Sequence, residues 1–262
     1  MNKLSSGLLI ACLSAFWLLA ECEAQEYRQL QCKQLKVAGP DEWSPNSFFD
    51  EKTNSFRGLG YSILQRVAES EGIPYVLLPA IPWQRVLKYA RQGEVDIIVA
   101  IYQNIERQQY IEFSEPYISN DARLYVRKGE EFTYRGFDDL VDKRGLLPSG
   151  ASYGEEFDSF AKRLELIGKH NISDIFLYLS RGAADYAIQE KTRARHFIAQ
   201  HQLGDRIVEL PLSLSIVPVR MGFSLHSKCE NYLNRFKQRY AQLLTSEELH
   251  ELSHNQTNIA DL

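Results

Sequence analysis

Two stretches of the sequence share one order of signals, and together they constrain the fold more than any other feature. Residues 89–101 read YARQGEVDIIVAI, and residues 178–190 read YLSRGAADYAIQE. Each contains the end of a helix, an Arg followed closely by a Gly, and an Asp that opens an apolar strand. This order is typical of βαβ units and predicts an α/β protein of two lobes, each a mostly parallel sheet flanked by helices. Asp96 and Asp185 hold matching places, where we expect them to complete the turn or cap the strand.

Hydrophobic periodicity predicts the remaining elements. A Gly at the end of an amphipathic stretch marks a helix C-terminus, as Gly93 does here. The predicted strands are 35–38, 75–78, 95–101, 124–126, 145–150 and 221–225. The predicted helices are 61–70, 83–92, 155–166, 173–180 and 230–244.

Charge and composition exclude several classes of protein. The chain has 30 Lys and Arg against 34 Asp and Glu, a formal net charge of −4, whereas a nucleic-acid-binding protein normally has a basic excess. Aromatic residues at 11% supply enough apolar surface for a core, which argues against a disordered chain.

The amino terminus has the features of a secretory signal. Lys3 precedes an apolar run over residues 8–20, and Cys22-Glu23-Ala24 places small residues at the −3 and −1 positions of a cut before Gln25. An N-terminal membrane anchor is the alternative, although the run is short for a permanent span. We therefore predict a cleaved signal peptide over residues 1–24 and a periplasmic mature chain.

Cysteine usage fits an exported protein. Cleavage before Gln25 removes Cys12 and Cys22 and leaves Cys32 and Cys229. Two cysteines in an oxidising compartment favour one disulfide, the alternative being two buried thiols that never meet. Neither cysteine has further ligands at metal-binding spacing, so we expect no metal and no cofactor.

Several short motifs resemble one known family in their order along the chain. They are Trp43-Ser44-Pro45, Gly58, Gly93 with Asp96, Glu106-Arg107, Phe113-Ser114-Glu115-Pro116-Tyr117 and Gly150-Ala151-Ser152-Tyr153-Gly154. This set resembles the signature of the family 3 extracellular solute-binding proteins, the polar amino-acid receptors of ABC importers. The resemblance extends from about residue 34 to residue 250.

The resemblance implies a type II periplasmic-binding-protein clamshell. Lobe one would hold residues 25–120 and 221–262, lobe two residues 121–220, and strands near 119–123 and 217–221 would form the hinge. It also implies a monomer that binds a small molecule, an amino acid or small carboxylate, with the membrane permease of an ABC importer as its partner. We expect no interaction with nucleic acid.

The resemblance assigns the ligand's carboxylate to two residues. Arg107 would hold it through a forked, charge-assisted pair of hydrogen bonds, and Ser152 would bind it from lobe two at a helix start. For Arg107 the alternative is a surface salt bridge with Glu106 or Glu112. For Ser152 it is an ordinary helix cap.

The other side chains of the predicted binding site depart in part from the family pattern. Glu190, where the family usually has Asp, would hold the ligand's ammonium, the alternative being a solvated acid at a helix start. Trp43 and Trp83 would be aromatic walls, the alternative being core packing. Tyr102 replaces the usual Thr, and Asn104 occupies another commonly polar place.

These observations favour a periplasmic receptor that delivers its ligand to an importer and is not an enzyme. One alternative is a dehydratase, since some dehydratases that act on cyclic precursors of aromatic amino acids resemble these receptors. In that case Glu190, with a pKa raised in a closed apolar cleft, would act as general acid. A second alternative is a ligand-sensing partner of a separate membrane receptor.

Overall fold

The computed structural model describes the backbone of residues 32–260 and the side chains of residues 32–253. The predicted signal peptide over residues 1–24 therefore lies outside the described residues. Within the described part of the chain, none of the helices combines the length and the apolar composition that crossing a bilayer requires.

Short strands and helices alternate along most of the chain. The strands are β1 Leu35–Ala38, β2 Glu42–Trp43, β3 Ser47–Asp50, β4 Ser55–Arg57, β5 Tyr75–Leu77, β6 Ile97–Tyr102, β7 Ile111–Phe113, β8 Ile118–Arg127, β9 Arg144–Pro148, β10 Glu165–Lys169, β11 Tyr186–Glu190 and β12 Ile207–Ser224. The α-helices are α1 Leu59–Glu71, α2 Trp83–Arg91, α3 Ile105–Gln108, α4 Glu155–Phe160, α5 Ile172–Ser180, α6 Lys191–Gln200, α7 Glu230–Leu244 and α8 Glu247–Ala260.

One mixed sheet connects both halves of the molecule, in the order β10-β9-β11-β8-β12-β6-β1-β5, with β7 also paired to β12. The strands β10, β9 and β11 are parallel to one another, and so are β6, β1 and β5. Between these sets, β8 and β12 pair antiparallel with each other and with their other neighbours. The fold is a type II periplasmic-binding-protein clamshell of two α/β halves, and its exact lobe boundaries and hinge stay predictions.

The repeated sequence pattern corresponds to a repeated structural unit. The Asp96 carboxylate accepts a hydrogen bond from the backbone N–H of Lys36 at 2.7 Å, and the Asp185 carboxylate accepts one from Arg144 at 2.7 Å. In each copy the Asp backbone N–H donates back to the carbonyl of the same partner at 2.8 Å. Both aspartates thus fix the start of a neighbouring parallel strand, which confirms the structural role predicted for them.

The strands that follow these aspartates form the centre of the core. Every residue of β6 and of β11 is buried, as expected for parallel strands covered by helices on both faces. Helix α7 packs Leu233, Phe236 and Tyr240 inward, on the face that its periodicity predicts.

The helix predicted over residues 155–166 is wrong in its second half. Helix α4 ends at Phe160, and Glu165–Lys169 forms β10, which pairs in parallel with β9. The long-range ladder with β9 supplies backbone hydrogen bonds that override the local helical pattern. The predicted strand over 221–225 is likewise only the end of the 18-residue strand β12.

The predicted disulfide is confirmed. Cys32 and Cys229 are bonded, with their Cα atoms 5.2 Å apart and 197 positions apart in sequence. The bond joins the segment before β1 to the residue that precedes α7. It therefore ties the beginning of the described chain to its C-terminal helices.

Candidate functional site

A cavity of about 330 Å³ lies between the two halves of the clamshell. Its lining comes from segments that follow the carboxyl ends of β1, β5 and β6 in one half and of β9, β10 and β11 in the other. Loops at the carboxyl ends of parallel strands are where α/β proteins commonly bind ligands. The lining includes Trp43, Trp83, Tyr102, Arg107, Ser152 and Glu190, so the structure brings together six of the seven side chains predicted to bind the ligand.

Arg107 is the cation held deepest in this cavity. Only 4% of the residue is exposed. Its guanidinium donates through Nη1 to the Tyr102 carbonyl at 2.6 Å and through Nη2 to the Gly150 carbonyl at 2.9 Å. An arginine has five N–H donors, so donors remain for a bound carboxylate. Burial lowers the pKa of Arg107.

The alternative of a surface ion pair for Arg107 does not hold among the described residues. Glu106 pairs with Arg91 at 2.8 Å, and Glu112 pairs with Lys237 at 2.9 Å. Arg107 bonds backbone carbonyls instead, and its guanidinium carbon lies 5.5 Å from the centre of the Trp83 ring. The buried cation therefore has no carboxylate of the described residues within ion-pair distance.

Gly150 contacts residues of the first half of the clamshell beside Arg107. Its carbonyl accepts from Arg107 and also from Trp83 Nε1 at 3.3 Å. Gly150 has φ of +74°, and a Cβ atom there would clash with Gln84 Nε2. A glycine satisfies both the left-handed backbone and the close contact.

Glu190 and Tyr102 form a buried pair across the cavity floor. The Tyr102 hydroxyl donates to Glu190 Oε1 at 3.3 Å, and Glu190 Oε2 has no hydrogen-bond partner within the described chain. Glu190 is 7% exposed, which excludes the solvated-acid alternative. Burial raises its pKa, and the nearby Arg193 cation opposes that shift. Trp43 packs edge-on against Tyr102 with ring centres 4.8 Å apart.

We predict that Glu190→Gln stabilises the unliganded protein at high pH. The pKa of Glu190 is raised above its ordinary 4.5, so the folded chain binds this proton more tightly than the unfolded chain. The free energy of unfolding should therefore decrease as the pH rises from the pKa of Glu190 in the unfolded chain to its higher pKa in the folded chain. The Glu190→Gln variant should not show this decrease. Its free energy of unfolding at pH 8 should be about 1 kcal/mol higher than that of the wild type.

Urea unfolding at pH 5 and pH 8 measures this effect. Glu94→Gln is the matched control, because that exposed carboxylate has a lowered pKa owing to Lys36 and should not gain stability at pH 8. A Glu190→Gln variant less stable than wild type at pH 8 would mean that the Arg193 charge outweighs desolvation.

Ser152 and Asn104 have local partners. The Ser152 hydroxyl donates to Asp158 Oδ2, and the Tyr153 N–H donates to Asp158 Oδ1 at 2.9 Å, so Asp158 holds this loop against α4. Ser152 is not the N-cap of α4, which is Gly154. The Asn104 side chain caps α3 by accepting from the Arg107 N–H at 2.9 Å. Asn104 thus positions the helix that carries Arg107. Asn104 itself is not among the described residues that line the cavity.

The structure adds lining residues that the sequence reasoning missed. Arg193 lies one turn beyond Glu190 on α6, and its Nη2 donates to Glu42 Oε2 at 3.3 Å across the two halves. Glu190 ends β11 and directly precedes α6, so the spacing of three residues would have placed Arg193 in the first turn of that helix. The other missed residues with polar side chains are Asp41, Gln84, Ser149, His170 and Asn171.

Comparison with known protein families identifies the family to which this chain belongs. The profile of the bacterial extracellular solute-binding proteins, family 3, matches residues 35–256. The chain belongs to this family. The family assignment agrees with the motif order in the sequence and with the cavity between the two halves.

Curated relatives of this family 3 protein differ in what they do. Cyclohexadienyl dehydratase of Pseudomonas aeruginosa is 27% identical over 194 residues, which cover 71% of this chain and 70% of the enzyme. The virulence sensor BvgS of Bordetella pertussis is 21% identical over 69% of this chain. The L-cystine-binding protein TcyJ of Escherichia coli is 25% identical over 45% of each chain. The matched region spans only 14% of the length of BvgS.

Solved structures agree on the fold. A histidine kinase sensor domain similar to periplasmic binding proteins superposes with a TM-score of 0.73 at 18% identity, covering 86% of this chain and 96% of that domain. A mutant of ArgBP from T. maritima gives 0.71 at 20% identity, covering 90% and 98%. At these identities the likeness establishes the fold alone.

Proposed function

We propose that this protein is a periplasmic receptor that captures an amino acid or a related small carboxylate between its lobes and delivers it to an ABC importer. The observation that carries the proposal is Arg107, a nearly buried guanidinium with no carboxylate partner among the described residues, aimed into an inter-lobe cavity. A buried cation is costly unless an anion pairs with it. A ligand carboxylate supplies that anion.

The other cavity residues fit a zwitterion. Glu190 Oε2, which has no hydrogen-bond partner among the described residues, is an acceptor for an ammonium group, and Trp43 and Trp83 line the same cavity as apolar walls. The volume of about 330 Å³ falls within the range of small-molecule sites. The amino-acid-binding relative TcyJ supports the same class of ligand.

Isothermal titration of the mature protein, residues 25–262, tests this proposal. The panel consists of the common L-amino acids, small mono- and dicarboxylates, and the matching amines that lack a carboxylate. The proposal predicts binding by carboxylates and none by the amines. A folded protein that binds no carboxylate, or that binds the amines equally well, would contradict it.

The importer and sensor roles use the same cavity and differ in the membrane partner. Pull-down from membrane extracts with and without a saturating ligand separates them. Ligand-dependent recovery of a permease supports delivery to an importer, whereas recovery of a membrane receptor supports the sensor role that BvgS suggests.

A dehydratase is the second candidate, favoured by the buried Glu190 with its raised pKa and by the dehydratase relative. A protonated Glu190 could deliver its proton to the departing hydroxyl of a ring-shaped substrate held between Trp43 and Trp83, so that water leaves while the ring carboxylate departs as CO2 and its bonding electron pair completes the aromatic ring. Incubation with prephenate or arogenate, with the aromatic product followed by absorbance, tests this candidate. Turnover that Glu190→Gln abolishes would replace the receptor proposal with an enzyme.

A further inference from the structure

An ion pair crosses the cleft between the two halves of the clamshell. Arg193 on α6, in the second half, donates through Nη2 to Glu42 Oε2 on β2, in the first half, at 3.3 Å. Both residues line the cavity, and both line an adjoining groove of about 650 Å³. The pair therefore lies at the boundary between these two spaces, where the halves face each other.

Arg193 is the less exposed partner of this pair. Its side chain is 12% exposed, against 49% for Glu42, so water screens the pair less than it screens a fully exposed one. Burial raises the pKa of Glu42, and among the neighbouring groups Arg193 does most to lower it. The charge of Glu42 is therefore compensated mainly by a cation from the opposite half.

The other charged groups close to this pair include carboxylates of both halves. Asp41 in the first half and Asp174 on α5 in the second half both raise the pKa of Glu42. Burial raises the pKa of Glu190, and the Arg193 cation opposes that shift. Arg193 thus acts on carboxylates that come from both sides of the cleft.

The charges that line the cavity show what this cation does. The titratable side chains of the acidic and basic lining residues are Asp41, Glu42 and Arg107 in the first half and His170, Glu190 and Arg193 in the second half. With the histidine counted as neutral, two carboxylates and one guanidinium give the first half −1, and one of each gives the second half zero. Without Arg193 both halves would carry −1, and like charges repel more strongly in a poorly solvated cleft than in water.

We propose that Arg193 is a closure residue, whose ion pair with Glu42 holds the two halves together and whose charge prevents the carboxylates of the two halves from repelling each other. Arg193 is therefore a positioning residue that acts on ligand binding through closure. This inference goes beyond the proposed function, because it concerns how the clamshell closes and not which ligand it holds.

Distance measurements between two spin labels test the inference without any ligand. Arg85→Cys on α2 and Glu156→Cys on α4 place the labels at exposed positions in the two halves. The native cysteines of residues 25–262, Cys32 and Cys229, are bonded to each other and leave these two positions to react. Unfolding in guanidinium chloride and refolding remove any bound small molecule. Double electron–electron resonance then gives the closed fraction, that is, the fraction of molecules at the label separation of this structure.

Arg193→Gln should lower the closed fraction by about threefold or more relative to the labelled reference protein in about 50 mM NaCl. Raising NaCl to about 500 mM should lower the closed fraction of the reference protein, because salt screens its ion pair. The same salt should raise the closed fraction of Arg193→Gln, because it screens the repulsion. Adding Glu42→Gln to Arg193→Gln should also raise it, since this removes a carboxylate from the first half.

Two control variants separate closure from structural damage. Arg193→Lys keeps the positive charge and should retain most of the closed fraction. Arg195→Gln changes the next arginine on α6, which pairs with Glu209 of the same half, and should leave the label distances unchanged. Circular dichroism and thermal unfolding check that each variant folds.

The outcomes distinguish this inference from the proposed function. A reference protein with no closed fraction, an Arg193→Gln variant with the same closed fraction as the reference, or salt responses of the same sign in both proteins would overturn the inference and leave the receptor function standing. An Arg193→Lys variant as open as Arg193→Gln, or a double variant that recovers nothing, would overturn it as well. Failure of every carboxylate in the calorimetric panel would instead overturn the proposed function and leave this inference standing.

Discussion

Arg107→Ala should reduce ligand affinity by about 100-fold or more while leaving the protein folded. The variant removes the deepest cation of the cavity and with it the forked donor for the ligand carboxylate. Burial disfavours the charged form of Arg107, but the variant also loses the hydrogen bonds to the Tyr102 and Gly150 carbonyls, so without ligand its free energy of unfolding should fall by about 1–3 kcal/mol. Titration calorimetry measures the affinity, and thermal unfolding without ligand measures the stability.

Two further variants make this prediction specific. Arg107→Lys retains a positive charge but not the planar fork, and it should recover only part of the affinity. Arg85→Ala removes an exposed arginine from α2 and should leave binding unchanged. An Arg107→Ala variant that is folded and binds as tightly as wild type would contradict the assignment.

The second large effect concerns the Cys32–Cys229 disulfide. The bond closes a loop over a separation of 197 residues, for which the chain-entropy account gives about 5 kcal/mol of stabilisation. Cys229 lies 7% exposed in the core at the start of α7, so the link also holds that helix against β1. The double variant Cys32→Ser with Cys229→Ser should lose about 3–5 kcal/mol of unfolding free energy.

Urea unfolding with and without dithiothreitol checks this loss. The reductant should destabilise the wild type by a similar amount and leave the double serine variant unaffected, which separates loss of the bond from the effect of the substitutions. A wild-type midpoint unchanged after complete reduction would show that the link adds no stability.

Local sequence signals predicted the parts of the fold that depend on short-range order. The repeated Gly and Asp pattern marked two equivalent strand starts, and Asp96 and Asp185 make the same pair of backbone hydrogen bonds in both. Three of the ordered family motifs located the cavity, because Trp43-Ser44-Pro45, Glu106-Arg107 and Gly150-Ala151-Ser152-Tyr153-Gly154 come after the carboxyl ends of β1, β6 and β9.

Contacts between distant segments escaped prediction. Arg193 has no motif of its own, and its pairing with Glu42 joins positions 151 residues apart. The hydrogen bonds that Arg107 and Trp83 donate to the Gly150 carbonyl also depend on how the two halves pack against each other. The strand β10 was mistaken for helix because its pairing with β9 is set by tertiary structure and not by its own periodicity.

A double-mutant cycle between protein and ligand tests the central claim most directly. The four affinities are those of wild type and Arg107→Ala for the tightest-binding amino acid of the panel and for its α-carboxamide. If Arg107 holds the carboxylate, amidation should weaken wild-type binding by about 100-fold. The Arg107→Ala variant should bind the acid and the amide with nearly equal affinity. An Arg107→Ala variant that still discriminates between the acid and the amide by the wild-type factor would contradict the account.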